Sequence, residues 1–422
     1  MAMADMMSVA STTATVVPGN LAAQLRRSQR RKKAFAISLT LPLLIFLLAT
    51  FIVPIAALLV RAVENPELAS TLSNTVQVLK KWDRTSPPPD QAYAALATDM
   101  AAITEQSDAG GLARRLNSEI SGARSLVMTT YRALPFDAGM TPAQAKAHLL
   151  EIDPRWEELG YWQAIAKNGS RWTPDYLLTA VDLKRDIQGH IVKVDSDSAA
   201  FFNILMRTFK VSAIVTVAAL LLGYPLAYWL STLSPRQANI LMILVLVPFW
   251  TSILVRSAAW IVLLQSNGLV NRYLLELGVI SHPLPLLFNR LGVIIAMVHI
   301  LLPFMILPLY SVMKSVPASY LRAAVSLGSS PLAAFFRVYV PQTYPGMGAG
   351  GLLVFILSIG YYVTPALLGG AGDQMLSYYI AQYTNVTVNW GMACALGTVL
   401  LSATLVLYAV YRRVVKSELS LG

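Results

Sequence analysis

Apolar residues in this chain come in long runs rather than at the short periods of surface helices or strands. A backbone that crosses hydrocarbon must satisfy its own amides, and as a helix rising 1.5 Å per residue it needs about 20 mostly apolar residues. Six stretches meet that requirement: 34–60, 211–230, 238–264, 291–310, 347–368 and 391–411. The pattern predicts an all-α, polytopic membrane protein with six spans. Pro42, Pro54, Pro225, Pro248, Pro303 and Pro308 fall inside the runs, where they predict kinks.

Between the first and second runs lies a block, 61–203, of ordinary soluble character, long enough for a domain. Pro87-Pro88-Pro89 and Gly110-Gly111 punctuate it. Residues 92–106, 112–134 and 142–152 are rich in helix formers, predicting a small, mainly helical cap. Trp156, Tyr161, Trp162, Trp172 and Tyr176 precede the second run; they suit a core, a membrane-interface belt or the docking of an outside partner.

Composition sharpens this division. Of 422 residues, 55% are hydrophobic and 13% charged, about half the charged share of a soluble domain. Residues 61–210 hold 17 Lys/Arg and 18 Asp/Glu, whereas the rest holds 16 and 4. Arg26, Arg27, Arg30, Arg31, Lys32 and Lys33 flank the first run, and Arg412, Arg413 and Lys416 follow the last. Basic flanks stay in the cytoplasm, so both termini are expected inside, with 61–203 outside and 313–346 inside. Arg207 and Lys210, at the outer end of the second span, run against the rule. The first run exceeds the 7 to 15 residues of a signal-peptide core, and reads as an uncleaved anchor. The expected organisation is a disordered basic tail over 1–33, the first span over 34–60, the 61–203 insertion, a five-span body over 204–412 and a tail over 413–422.

The sequence offers no catalytic set. No Gly-Lys pair occurs, hence no Walker A loop; His148, His190, His282 and His299 lack metal-ligand spacing; and no G-x-S-x-G elbow is present. Cys394 is the single cysteine, so no disulfide framework or multi-cysteine metal site is available. No Asp or Glu falls within the six runs, which disfavours an ion-driven carrier. Neither a cofactor, a metal nor a nucleic acid is expected on this chain.

Residues 315–341 form a loop with a pattern. Pro317 suits the first turn of a helix through Leu327, Gly328 a left-handed stop, and Ser330-Pro331 the start of a second helix closed by Pro341. Leu321, Ala324, Val325, Leu327, Leu332, Phe335, Phe336 and Val338 give this hairpin an apolar face that needs a cover.

Here the chain resembles the permease subunits of binding-protein-dependent ABC importers, whose cytoplasmic loop reads E-A-A, three residues, G, about nine residues, I-x-L-P. Ala323, Ala324, Gly328 and Pro341 match; Arg322 stands at the glutamate, and Tyr339 and Val340 precede the proline. Leu222 to Tyr228, Val247 to Trp260 and Ser358 to Gly370 look like span signatures of the spermidine/putrescine-type members. The resemblance covers 34–60 and about 204–412. It implies the type I importer fold, a bacterial inner-membrane location, two ATPase subunits carrying ATP and Mg on the hairpin, a second and different permease, and a periplasmic solute-binding protein. Leu321, Arg322, Ala323, Ala324, Gly328, Pro331, Phe335 and Pro341 are the expected coupling residues.

For the translocation path or a subunit contact the candidates are Arg256, Trp250, Trp260, Tyr361, Tyr362 and Asp373. Arg256 is the one Lys or Arg of the third run, and a charge there faces a bundle interior or snorkels. The aromatics suit a cationic amine, or simple packing. Asp373 suits a binding protein, a cation or a loop cap. Gly346 and Gly350 predict a close helix approach at a subunit interface, and His299 a hydrogen-bonded core residue. The expected solute is of polyamine or opine type. A membrane sensor with an external ligand domain is the rival reading, and a secondary carrier a third.

Overall fold

The structure, a computed structural model, describes residues 19–133, 140–186, 189–195 and 199–419. It divides into two units, 1–58 and 59–422. In the first unit a helix runs from Gly19 to Leu47, passes through a π-turn at Leu48–Ile52 and continues as Val53–Arg61 into the second. Positions 19–33, expected as part of a disordered tail, are helical; the tail's residues 1–18 lie outside the described residues. The π-turn ends two residues before Pro54, with Val53 N–H bonded to Leu48 O. A widened turn there relieves the clash of a proline ring with the carbonyl four residues back.

The second unit begins with the insertion, a bundle of short helices around Leu68, Leu96, Leu112, Leu126, Trp156 and Trp162. The Pro142–Ile152 helix stands where expected, its start closed by a Thr141/Gln144 capping box. The expected helix over 112–134 is instead two, Gln106–Asn117 and Ala123–Arg132, because Gly122 takes φ +88° between them. A two-stranded hairpin, Leu183–Arg185 with Ile191–Lys193, precedes the second span. Trp156 and Trp162 are core residues, Tyr161 and Tyr176 are buried, and Trp172 is exposed.

Two helices cross the body unbroken beside the last: Phe201–Thr232, Arg290–Ser315 and Trp390–Leu419. The third expected span is broken. It comprises Pro235–Leu246, a 3-10 turn over Val247–Trp250, and Ile253–Leu264. Pro248 removes an amide, and the Ser252 hydroxyl accepts from Leu254 N (3.1 Å), starting the new segment. The fifth is broken as well, into Tyr344–Ile359 and Val363–Leu368 around Gly360-Tyr361-Tyr362. Gly346 and Gly350 do not await another subunit: a Cβ on Gly346 would lie 3.0 Å from Val312 Cβ, and one on Gly350 3.0 Å from Met305 O. Both let the fifth span press onto the fourth within this chain.

The insertion is fastened to the body. Tyr176 lies over the start of the last helix, where a Cβ on Gly391 would fall 2.4 Å from its ring. The Arg115 guanidinium lies over the same ring, 4.7 Å from its centroid. Arg115 is itself held by Asn65 (3.1 Å) and Glu119 (3.0 Å). Burial pushes the Tyr176 phenol up to about 12. Arg207, which ran against the charge rule, donates to Gly372 O and to Gln374 O (2.6 Å).

Candidate functional site

The hairpin is built by its turn. Its first helix runs Ala318–Ser326; Gly328, at φ +94°, donates to Val325 O (3.0 Å) and Ser329 to Ala324 O (3.1 Å), the paired bonds of a Schellman close. Nothing lies within 4 Å of a Cβ added at Gly328, so backbone conformation, not space, demands glycine. The Ser330 hydroxyl accepts from Ala333 N (3.3 Å) to start the second helix at Pro331. That helix is not closed by Pro341. It runs through a π-turn, Phe335–Tyr339, and on to Gln342, then bends by 60° into Tyr344–Ile359. As at Pro54, the π-turn absorbs the proline.

The apolar residues of the hairpin divide between two faces. Leu321, Ala324, Phe335 and Val338 are half-buried against the body rather than exposed. Phe335 stacks on Tyr339 at 5.5 Å and meets the edges of Tyr228 at 5.1 Å and Tyr224 at 6.4 Å. Tyr224 and Thr343 hydroxyls are bonded (3.1 Å), and Lys314 Nζ donates to Ser231 O and Leu233 O (3.2 Å each), the last carbonyls of the second span. The uncovered tip is Tyr320, Leu327 (88% exposed), Leu332 (73%) and Phe336 (65%), with Arg322, Ala323 and Pro331 also exposed.

The two broken spans meet. The Ser257 and Thr364 hydroxyls, both buried, bond across the pair at 3.2 Å. One residue earlier, Arg256 keeps a buried Nε that has no hydrogen-bond partner among the described residues. Trp260 donates from Nε1 to His299 Nδ1 (3.2 Å), the rings edge to face at 5.4 Å. Among the six path candidates, Arg256 and Trp260 lie on the helix that carries Ser257, and Trp260 and Tyr361 pack against the same core of the body. The structure leaves Trp250 on the exposed 3-10 turn (74%) and Tyr362 exposed (43%), and pairs Asp373 Oδ1 with Arg290 Nε (3.1 Å). Ser257, His299 and Thr364 complete the cluster without having been singled out for it. Irregular backbone within apolar spans is tolerated where it is covered by protein or lines a cavity, and at this junction the two helices next to the breaks bring buried hydroxyls together. Among the described residues, no group of His, Cys, Asp or Glu suits a metal ion.

Residues 211–418 match the family model described as binding-protein-dependent transport system inner membrane component. The chain is 37% identical over 214 residues to the spermidine/putrescine transport system permease protein PotB of Haemophilus influenzae, covering 50% of this chain and 74% of that protein. It is 38% identical over 196 residues to the same-named protein of Escherichia coli, covering 46% and 71%. Among solved structures, it is similar to the crystal structure of a bacterial alginate ABC transporter in complex with an alginate pentasaccharide-bound periplasmic protein (16% identity, TM-score 0.42, 50% of this chain and 76% of that one).

Proposed function

From the premise that this chain belongs to the inner membrane components of binding-protein-dependent transport systems, as the multi-pass permease subunit of such an importer, we infer that it carries a small polyamine-like solute into the bacterial cytoplasm. A periplasmic binding protein delivers the solute to this subunit and a second, different permease. Two ATPase subunits, carrying ATP and Mg, dock on the hairpin, with both termini of this chain on the same, cytoplasmic side. The observation that carries the coupling is the uncovered apolar tip around a glycine-stopped turn: Leu327, Leu332 and Phe336 are largely exposed, Phe336 meeting only the edge of Phe335 among the aromatic rings of the described residues, and they suit a groove on an ATPase. Leu321 and Phe335 hold the hairpin to the body, so closure of the ATPases pulls on the second span through Tyr224 and Tyr228.

The polyamine class comes from the relatives' names. With no carboxylate in the apolar runs, a cationic amine passes along aromatic faces and carbonyls at the helix breaks, Trp260 and Tyr361 among them. Arg256 favours a second reading, an opine-type amine that also bears a carboxylate, which its Nε and guanidinium charge would hold. The test is uptake by proteoliposomes holding the whole complex and its binding protein. Competition by unlabelled spermidine supports the first reading; competition by amino-acid conjugates alone replaces it with the second. ATP-independent uptake, or co-purification without an ATPase, overturns the assignment in favour of a carrier or a sensor.

A further inference from the structure

The insertion contains nine arginines. Arg61, Arg115, Arg155, Arg171 and Arg185 are in ion pairs with carboxylates, and Arg84 is also partnered. Arg114, Arg124 and Arg132 have no side-chain hydrogen bond or ion pair among the described residues. These three line one groove of about 780 Å³ between the Gln106–Asn117 and Ala123–Arg132 helices, together with Asn117, Ser125 and Thr129. Five arginines paired with carboxylates and three on one concave face without such a pair among the described residues is a charge distribution that an unpartnered surface has no reason to keep, since like charges gathered together repel. The neighbouring Arg155 does not add to it: Asp153 holds it at 2.6 Å and 3.0 Å, and that contact keeps the Asp153 carboxyl below its usual range.

The groove continues toward the body. Arg114, Asn117 and Arg124 also line a second cleft of about 780 Å³, whose far wall is Tyr383 to Met392, the segment that opens the last span. An occupant of both clefts touches the insertion and the rim of the permease body together. The partner that must meet that rim from outside is the solute-binding protein. We propose that Arg114, Arg124 and Arg132 form a docking site for an acidic surface segment of the binding protein, so that the insertion captures the loaded protein beside the permease mouth.

This rests on the importer reading and on the insertion lying outside. In proteoliposomes holding the complete complex, ATPase stimulation is titrated with its purified binding protein for wild type and for the Arg114→Gln/Arg124→Gln/Arg132→Gln variant. Wild-type stimulation tests the importer reading by itself. The docking site predicts a half-saturating concentration raised about tenfold at low salt, from three lost exposed charge pairs, with an unchanged maximum rate and a flatter salt dependence. The Arg→Lys triple variant recovers most of the loss. Unchanged half-saturation with wild-type salt dependence overturns the proposal. So does a variant complex that loses its second permease, which makes the groove a subunit contact, or inorganic phosphate bound by the wild type without any effect on the titration, which makes it a small-anion site.

Discussion

Arg256 Nε is a buried donor with nothing to donate to, and such a group costs the folded chain about 1–3 kcal/mol. On the path reading proposed above, the solute supplies the acceptor that recovers this cost. Arg256→Ala is therefore expected to lower the uptake rate about tenfold, equivalent to about 1.4 kcal/mol, while the ATPases still co-purify in full. Undiminished uptake in the proteoliposome assay makes the residue an anchor. Arg256, Trp260 and Tyr361 are visible in the sequence because a charge or a large aromatic stands out in an apolar run. Ser257 and Thr364 are not visible. A hydroxyl in a membrane helix ordinarily bonds the carbonyl one turn back, as Thr208, Thr216, Thr398 and Thr404 do, and no pattern distinguishes the pair that reaches across instead.

In the hairpin, sequence and structure agree where a single residue type is obligatory and part where two effects compete. Gly328 was legible because a left-handed stop after an apolar helix has few other solutions. The passage of the second helix through Pro341 was not, since the penalty of a proline is plain in sequence and its relief by a π-turn is not. Gly328→Val places a β-branched residue at φ +94°, a strain of about 1–3 kcal/mol. Uptake per ATP hydrolysed is expected to fall at least fivefold with membrane insertion intact. Gly328→Asn, which tolerates that backbone and meets open space, should retain most coupling. Equal uptake by the valine variant removes the turn from the coupling path. The breaks in the third and fifth spans escaped hydropathy for a related reason: 238–264 and 347–368 are mostly apolar along their length, and apolar content does not report whether the helix is continuous.

The molecule as a whole depends on charge pairs in the insertion and on its joint with the body. Burial raises the Asp175 carboxyl, but Arg185, bonded to Oδ1 at 2.5 Å and Oδ2 at 2.8 Å, together with Thr173 brings it net below its ordinary value. A carboxyl depressed in the folded state adds stability that is fully present above its unfolded value of about 3.9, and that is lost as pH falls through the folded one. The insertion's unfolding midpoint, read from Trp156 and Trp162 fluorescence, is expected to be level from about pH 8 to 5 with respect to this pair and to fall below about pH 4. Asp175→Asn should lower stability at neutral pH by about 1–3 kcal/mol and shrink the acid-side loss. An unaltered acid limb sinks this assignment. At the joint, Gly391→Val drives a side chain into the Tyr176 ring and should detach the insertion. The readout is faster proteolysis between 61 and 200, with the membrane body still intact.

The π-turn at Phe335–Tyr339 is also a matter of counting. It holds one residue more than an α-helical turn, and one residue is about 100° of rotation about a helix axis. The tip that carries Leu332 and the segment that carries Gln342 are therefore out of phase by about a quarter turn, with the chain's own length storing the offset. Removing a single residue there would bring the two back into step, swinging the tip to another compass bearing while every remaining side chain stays the same.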